Sequence, residues 1–169
     1  AVSPAFTTEA AVVSTATATV EFEKYYNGSE LYAIDDVTYK NYNNKAYLPA
    51  KVLHSADAVK WYTLYTGTDV GDTELYTDDL LIQYLVTQGT PDGEERRYGL
   101  TWNAKAYILA VAQDAEGHYG PVFRKSITPS LSGVSPISDL GFVTADAGTQ
   151  STPVMLRAVT PAAPLKRTA

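Results

Sequence analysis

Apolar residues recur at every second position in several short segments of the chain, the spacing of strands that bury one face. In Lys45–His54 the residues that alternate in this way run from Ala46 to Val52. Pro49 lies on the other face of this strand, and because proline has no N–H for a ladder hydrogen bond, it predicts an edge strand or a bulge. The segment Lys105–Gln113 is apolar on both faces, so we expect a central strand that is covered on both sides.

Five further strands are predicted between turn-forming residues, at Val20–Tyr26, Leu31–Ile34, Val59–Thr66, Arg96–Trp102 and Pro121–Thr128. Between the first two stands Asn27-Gly28, the dipeptide that most strongly favours a two-residue hairpin turn, since both positions tolerate positive φ. Short strands at regular intervals with turn residues between them predict an all-β fold of two stacked sheets.

One segment, Thr77–Gly89, has the period of a helix instead. Its apolar residues share one helical face: Leu80, Leu81, Tyr84 and Leu85. Thr77 can cap the N-terminus, and the two aspartates that follow it favour the positive end of the helix dipole. Gly89 suits the C-terminal cap, and Pro91 prevents continuation. We expect this to be the only substantial helix, with its apolar face over one sheet or over the open edge between sheets.

The two ends of the chain differ in composition from its middle. Residues 1–19 are small, polar and β-prone, and they are predicted to form an arm or a linker. Residues 130–169 are rich in Ser, Thr, Pro and Ala but contain two apolar islands, Leu140–Val143 and Val154–Val159. We expect at least one island to add a strand to an exposed sheet edge, either on this domain or, as a homo-oligomer, on a neighbouring copy.

Composition narrows the functional classes. A net charge of −6 with scattered basic residues argues against a nucleic-acid surface. The longest apolar runs, such as Ala106–Ala112, are too short to cross a bilayer. The chain has no cysteine, which excludes disulfides, thiolate nucleophiles and zinc–thiolate sites. Its 13 tyrosines against 4 phenylalanines favour sheet faces on which a ring packs while its hydroxyl stays in water.

Three stretches of the chain resemble fibronectin type III-like domains, the immunoglobulin-like modules of bacterial surface lipoproteins and adhesins. Ser55–Tyr65 looks like the junction into the third strand, where the family has an aromatic core residue. Leu100–Tyr107 is similar to the family's Leu-x-Pro-x-Thr-x-Tyr corner, with Trp102 where the family has proline. Ile108–Pro121 looks like the last hairpin, with its acidic-glycine turn.

The resemblance covers residues 20–129 and implies a two-sheet sandwich there, with the helix at 77–89 as an insertion and residues 130–169 as a C-terminal extension. It also implies a secreted or cell-surface protein, free or lipid-anchored through a segment before Ala1. The implied function is non-enzymatic: a structural, adhesion or protein-interaction unit, with protein or glycan partners at the cell surface.

Catalytic chemistry has few candidates in this sequence. His54 and His118 are the only histidines, and the chain contains no nucleophile-elbow motif Gly-x-Ser-x-Gly. The paired carboxylates are adjacent in sequence, at Asp35-Asp36, Asp78-Asp79 and Glu94-Glu95. Neighbouring residues of a strand point to opposite faces, so such a pair cannot flank one glycosidic bond. We therefore expect no enzyme, no catalytic residue and no cofactor.

The acidic loop Asp69–Asp79 concentrates carboxylate oxygens, the ligands that calcium prefers. Its spacing matches no EF-hand, and solvated acidic loops commonly have the same composition. Calcium binding stays open at this point, and no residue is assigned as a metal ligand.

The candidate ligand-binding residues are four aromatic side chains that can stack on a sugar ring: Trp61, Tyr62, Tyr65 and Trp102. Alternation predicts that one of Trp61 and Tyr62 points into the core. Trp102 is the stronger candidate because it lies beside a turn. A carbohydrate-binding module is the alternative function, and an exposed coplanar patch of Trp102 with two tyrosines would favour it.

Overall fold

The computed structural model describes residues 13–140 and 149–150. The strands are β1 (Ala18–Glu21), β2 (Tyr26–Asn27), β3 (Ala46–His54), β4 (Lys60–Thr66), β5 (Thr90–Pro91), β6 (Glu95–Leu100), β7 (Ala106–Gln113), β8 (Phe123–Ile127) and β9 (Thr149–Gln150). The helices are α1 (Gly28–Ile34) and α2 (Asp78–Gln88), with short 3₁₀ turns at Lys40–Tyr42, Leu131–Gly133 and Ile137–Leu140. None of these helices is long and apolar enough to cross a membrane.

The strands form two sheets. The first has the order β1-β3-β6-β9, with β2 also paired to β3, and the second has the order β5-β4-β7-β8. Every pairing is antiparallel except the parallel contact of β9 with β6. Along the described strands the chain crosses from one sheet to the other between β3 and β4, β5 and β6, β6 and β7, and β8 and β9. The prediction of a β-rich fold with two sheets is confirmed.

Strand β7 is buried on both faces. Ile108, Ala110 and Ala112 join a core that also contains residues of the first sheet. Leu109 and Val111 point to the opposite side and join a second cluster beneath α2. The prediction of a doubly covered central strand at Lys105–Gln113 is confirmed, since β7 lies between β4 and β8.

Helix α2 begins and ends where the sequence predicts. The Thr77 hydroxyl accepts a hydrogen bond from the Leu80 N–H at 3.3 Å. Gly89 caps the C-terminus: its N–H donates to the Leu85 carbonyl at 2.9 Å, and a Cβ at this position would lie 2.3 Å from the same oxygen. The buried residues Leu81, Tyr84 and Leu85 cover the outer face of the second sheet, as expected.

The hairpin predicted at Asn27-Gly28 is wrong. Asn27 caps helix α1, and its side-chain oxygen accepts a hydrogen bond from the Ser29 N–H at 2.9 Å. Gly28 is required by a close approach, because a Cβ there would lie 2.0 Å from the Tyr42 carbonyl oxygen. Leu31–Ile34, predicted as a return strand, is therefore helical, and the seven-residue α1 accompanies the eleven-residue α2, which was expected to be the only substantial helix. Asn–Gly serves here as a cap and a contact point and not as a turn.

Pro49 does not lie on an edge strand, but the pairings of β1 and β2 with β3 differ by one residue in register opposite Pro49, as at a bulge. Strand β3 lies inside the first sheet, with β1 and β2 on one side and β6 on the other. The predicted strand Val20–Tyr26 is interrupted and forms β1 and β2. N–H groups alternate in direction along an antiparallel strand, and the Val52 N–H points toward β6. The backbone nitrogen of residue 49, three positions earlier, therefore points to the other side of β3, where the gap between β1 and β2 lies. Proline is tolerated there because no neighbouring strand needs its N–H.

The segments that flank the predicted domain contact it. Ala16 and Ala18, from the predicted arm, are buried in the core between the sheets. In the C-terminal segment, the Ser135 N–H donates to the Tyr25 carbonyl at 2.9 Å, and Ile137 packs against a tyrosine cluster outside the first sheet. The apolar island Val154–Val159 and residues 141–143 of the other island lie outside the described residues.

Candidate functional site

The four candidate aromatic residues do not form one surface. Tyr65 points into the core between the sheets, where it is 1% exposed, and its ring meets that of Tyr98 edge-on at 5.7 Å. Burial raises the pKa of the Tyr65 hydroxyl to about 12, although a hydrogen bond with Thr101 opposes the increase. Tyr62 is 8% exposed and lies on the opposite face of β4, beneath α2. Neither ring is available to stack on a ligand.

The two tryptophans lie near opposite ends of strand β3. Trp61 is next to His54, at the end of β3, whereas Trp102 follows Leu100, which pairs with Ala46 at the start of β3. Strand β3 has nine residues, so its ends are about 26 Å apart at the usual rise per residue.

Trp102 is half-buried and contacts one tyrosine. Its ring meets Tyr25 at 6.4 Å with an angle of 63° between the planes. The Tyr25 hydroxyl accepts a hydrogen bond from the Ser130 N–H at 3.0 Å, which fixes this ring against the C-terminal segment. The arrangement is edge-on and involves a single tyrosine, so the coplanar patch that would favour glycan binding does not form.

The structure instead brings together His54, Trp61 and Glu94. The imidazole lies parallel to the indole, with ring centroids 3.7 Å apart and an interplanar angle of 16°. The His54 Nε2 is 3.6 Å from a carboxylate oxygen of Glu94, and its Nδ1 is 3.1 Å from the Ser55 carbonyl oxygen. The Trp61 indole N–H donates to the Gly93 carbonyl at 2.8 Å. This group of contacts closes one end of the core between the sheets.

Sequence reasoning missed this cluster because its members come from separate elements: the end of β3, the start of β4 and the link between β5 and β6. His54 was assigned to a strand end and Trp61 to a possible platform, but no local pattern connects the two. The inward direction of both residues on their strands is the only signal that could have placed them together.

Arg96 is a buried cation that the sequence did not reveal. It is 3% exposed. Its Nε donates to the Thr63 hydroxyl at 2.7 Å, and its two terminal nitrogens donate to the carbonyl oxygens of Glu95, Thr90 and Asp92. Burial lowers the pKa of Arg96, while the neighbouring Tyr98 and Asp92 oppose that decrease. The guanidinium therefore holds the segment between β5 and β6 against β4, so its role is structural.

Tyr98 lies beside this guanidinium with its hydroxyl fully buried. Burial raises the pKa of Tyr98 to about 12, an increase that the nearby Thr63 hydroxyl and the charge of Arg96 partly offset. The Thr63 oxygen already accepts from Arg96, and the Tyr98 hydroxyl makes no hydrogen bond of good geometry with the described residues.

The second histidine belongs to the turn between β7 and β8. Asp114 organises this turn by accepting hydrogen bonds from the Ser14 hydroxyl at 2.6 Å and from the backbone N–H groups of Glu116 and His118. These bonds, led by that of Ser14, lower the pKa of Asp114. The His118 ring is 3.7 Å from a Glu116 carboxylate oxygen. In the part of the chain that the structure describes, neither imidazole is hydrogen-bonded to a serine or threonine hydroxyl.

The carboxylates of the acidic loop serve local structure. Asp69 accepts from the Gly71 N–H at 3.1 Å, and Asp72 accepts from the Glu74 N–H at 2.9 Å. Asp78 binds the Arg124 guanidinium at 2.9 Å. Among residues 13–140 and 149–150, no three His, Asp or Glu side chains are placed to share a metal ion.

No protein-family model, curated protein or solved structure matches this chain. Function therefore has to be inferred from the arrangement of strands and from the contacts of the candidate residues.

Proposed function

We propose that this chain is a non-enzymatic structural or protein-interaction module of a secreted or cell-surface bacterial protein, with an immunoglobulin-like sandwich fold of the fibronectin type III kind. The observation that carries the proposal is the division of the strands. Immunoglobulin-like sandwiches place strands A, B and E in one sheet and C, F and G in the other. If β1 is strand A, then β3 and β6 correspond to B and E, and β4, β7 and β8 correspond to C, F and G.

The shared core supports the sandwich. Val20, Leu48 and Leu100 of the first sheet belong to the same buried cluster as Tyr65 and Ile108 of the second. A core filled from both inner faces is typical of two stacked antiparallel sheets. Helix α2 lies between β4 and β5, the place where the resemblance to fibronectin type III-like domains implies an insertion.

The contacts of the candidate catalytic groups support a non-enzymatic role. A nucleophile needs a general base within hydrogen-bond reach, and that base needs a group to orient it. His54 is stacked on Trp61, and the Asp114 carboxylate accepts a hydrogen bond from the backbone N–H of His118. Asp78 is held by Arg124 and by the Val122 N–H. These side chains stabilise strand ends and turns, and the Ser14 hydroxyl that donates to Asp114 is part of the contacts of that turn.

A substrate panel tests the non-enzymatic part of the proposal. The full chain, His54→Ala and His118→Ala would be incubated with glycoside, ester and peptide substrates. Lys51→Ala, at an exposed position in β3, serves as the matched control. We expect no turnover that either histidine substitution removes. Turnover by the full chain that disappears in His54→Ala, while circular dichroism shows an intact fold, would contradict the proposal.

A further inference from the structure

The described sheet edges differ in how they are protected against pairing with another chain. Strand β8 exposes Lys125 and Ser126. Strand β5 has two residues, one of them Pro91, and β1 has four and exposes Glu21. Charge, proline and shortness are common means of blocking an edge.

Strand β6 lacks these features over most of its length. Five consecutive residues, Arg96–Leu100, are buried. From Arg97 onward the strand has no exposed charge and no proline. Its protection is β9, which pairs with it at Arg97 and Tyr98. The Val52 N–H donates to the Glu94 carbonyl, which fixes which residues of the β3–β6 ladder are hydrogen-bonded to each other. Because backbone groups alternate in direction along an antiparallel strand, those of Arg97 and Gly99 point away from β3, to the side on which β9 lies.

We propose that the β6 edge is a strand-acceptor site that the C-terminal segment of a second copy of this chain fills in exchange for its own β9. The inference rests on the proposed function as a protein-interaction module and names its partner. The donor is identical to the strand already seated on β6, so it can form the same backbone hydrogen bonds. Exchange of an identical element is a low-cost route to association.

The size of the contact makes exchange feasible. Strand β9 has two residues, and its parallel pairing supplies few hydrogen bonds to keep it in place. Its advantage over an incoming copy is mainly its high effective concentration, about millimolar for a segment tethered by a short linker. Copies held close together, as on a surface, reach that range. The partner is then recognised through backbone hydrogen bonds, as in other cases of strand addition.

The test uses the isotope-labelled full chain and an unlabelled peptide of residues 141–160, followed by amide resonances. The matched control is the same peptide with Thr149→Pro, which removes a donor and restricts the backbone. We expect the native peptide to shift the Arg97 and Gly99 amides and the control to leave them unchanged. The Thr149→Pro full chain, whose own strand is weakened, should bind the native peptide about tenfold more tightly than the unaltered chain.

Two results would overturn the inference: no shift of these amides at millimolar peptide, or shifts confined to another edge, such as Lys125 and Ser126 of β8. If Thr149→Pro disturbs the fold by circular dichroism, titration of the unaltered chain still decides the question. A negative peptide titration does not change the result of the substrate panel, so the strand-acceptor site and the non-enzymatic role can be rejected independently.

Discussion

The outer face of the second sheet lies under the regular helix α2, whereas the outer face of the first lies under a cluster of tyrosines from several short segments. In that cluster, Tyr47 of β3 meets the rings of Tyr42 and Tyr39 edge-on, at 4.7 and 5.5 Å. Tyr26 and Leu31 complete it. The second sheet is covered by apolar side chains that recur along one face of a single helix, whereas the first is covered by tyrosine rings that come from several short segments.

This difference predicts on which face a single alanine substitution lowers the free energy of unfolding more. Tyr47→Ala removes the ring that contacts both other tyrosines, leaving a cavity that short segments of fixed geometry cannot close. We expect it to lower the free energy of unfolding by about 3–5 kcal/mol, the usual range for a buried aromatic residue. Chemical denaturation would measure the change, with the half-buried Tyr32→Ala of α1 as the control. Equal losses for the two variants would show that the cluster does not act as a unit.

On the helical side, Leu85→Ala removes a fully buried side chain of α2. We expect a loss of about 2–4 kcal/mol in the free energy of unfolding, because a helix can shift slightly to refill the space. Gln83→Ala, on the exposed side of the same helix, should change it by less than about 0.5 kcal/mol. A larger loss for Leu85→Ala than for Tyr47→Ala, measured by the same denaturation, would reverse the comparison.

The smallest effect concerns pH and the segment that follows α1. Backbone N–H groups of Thr38 and Val37 donate to the Asp35 carboxylate at 3.0 and 3.2 Å. These bonds, with the largest contribution from Thr38, lower the pKa of Asp35. A carboxyl whose pKa is lower in the folded state stabilises the fold above its unfolded pKa of about 3.9. That stabilisation is lost as the pH falls through the folded pKa.

We therefore expect Asp35→Asn to flatten part of the decrease in melting temperature as the pH falls below about 4. Thermal melts across this range would measure it, and NMR titration of the Asp35 carboxyl would give its pKa directly. Asp36→Asn, at an exposed neighbouring position, is the control. An Asp35 pKa at or above the unfolded value would contradict this account.

The local pattern of apolar residues and caps was sufficient to predict the elements in which the burial of side chains repeats regularly along the chain. The double burial of β7 follows from its continuous apolar run, and α2 follows from its four apolar residues, its Thr77 cap and the proline beyond Gly89. The same approach misassigned Asn27-Gly28, because the dipeptide satisfies the chemistry of a hairpin turn and of a helix cap equally well. The approach of the Tyr42 carbonyl to Gly28 decided between them, and that contact spans fourteen residues of sequence.

The sequence by itself determined that this protein is rich in strands, that Thr77–Gly89 contains an amphipathic helix and that the chain has no cysteine chemistry. Only the tertiary structure decided that Tyr62 and Tyr65 are buried on opposite faces, that His54 stacks on Trp61 and that Arg96 is enclosed. The physical reason is range. Hydrophobic period and caps act within a few residues, whereas these side chains take their positions from strands that the chain brings together only after it has crossed between the two sheets.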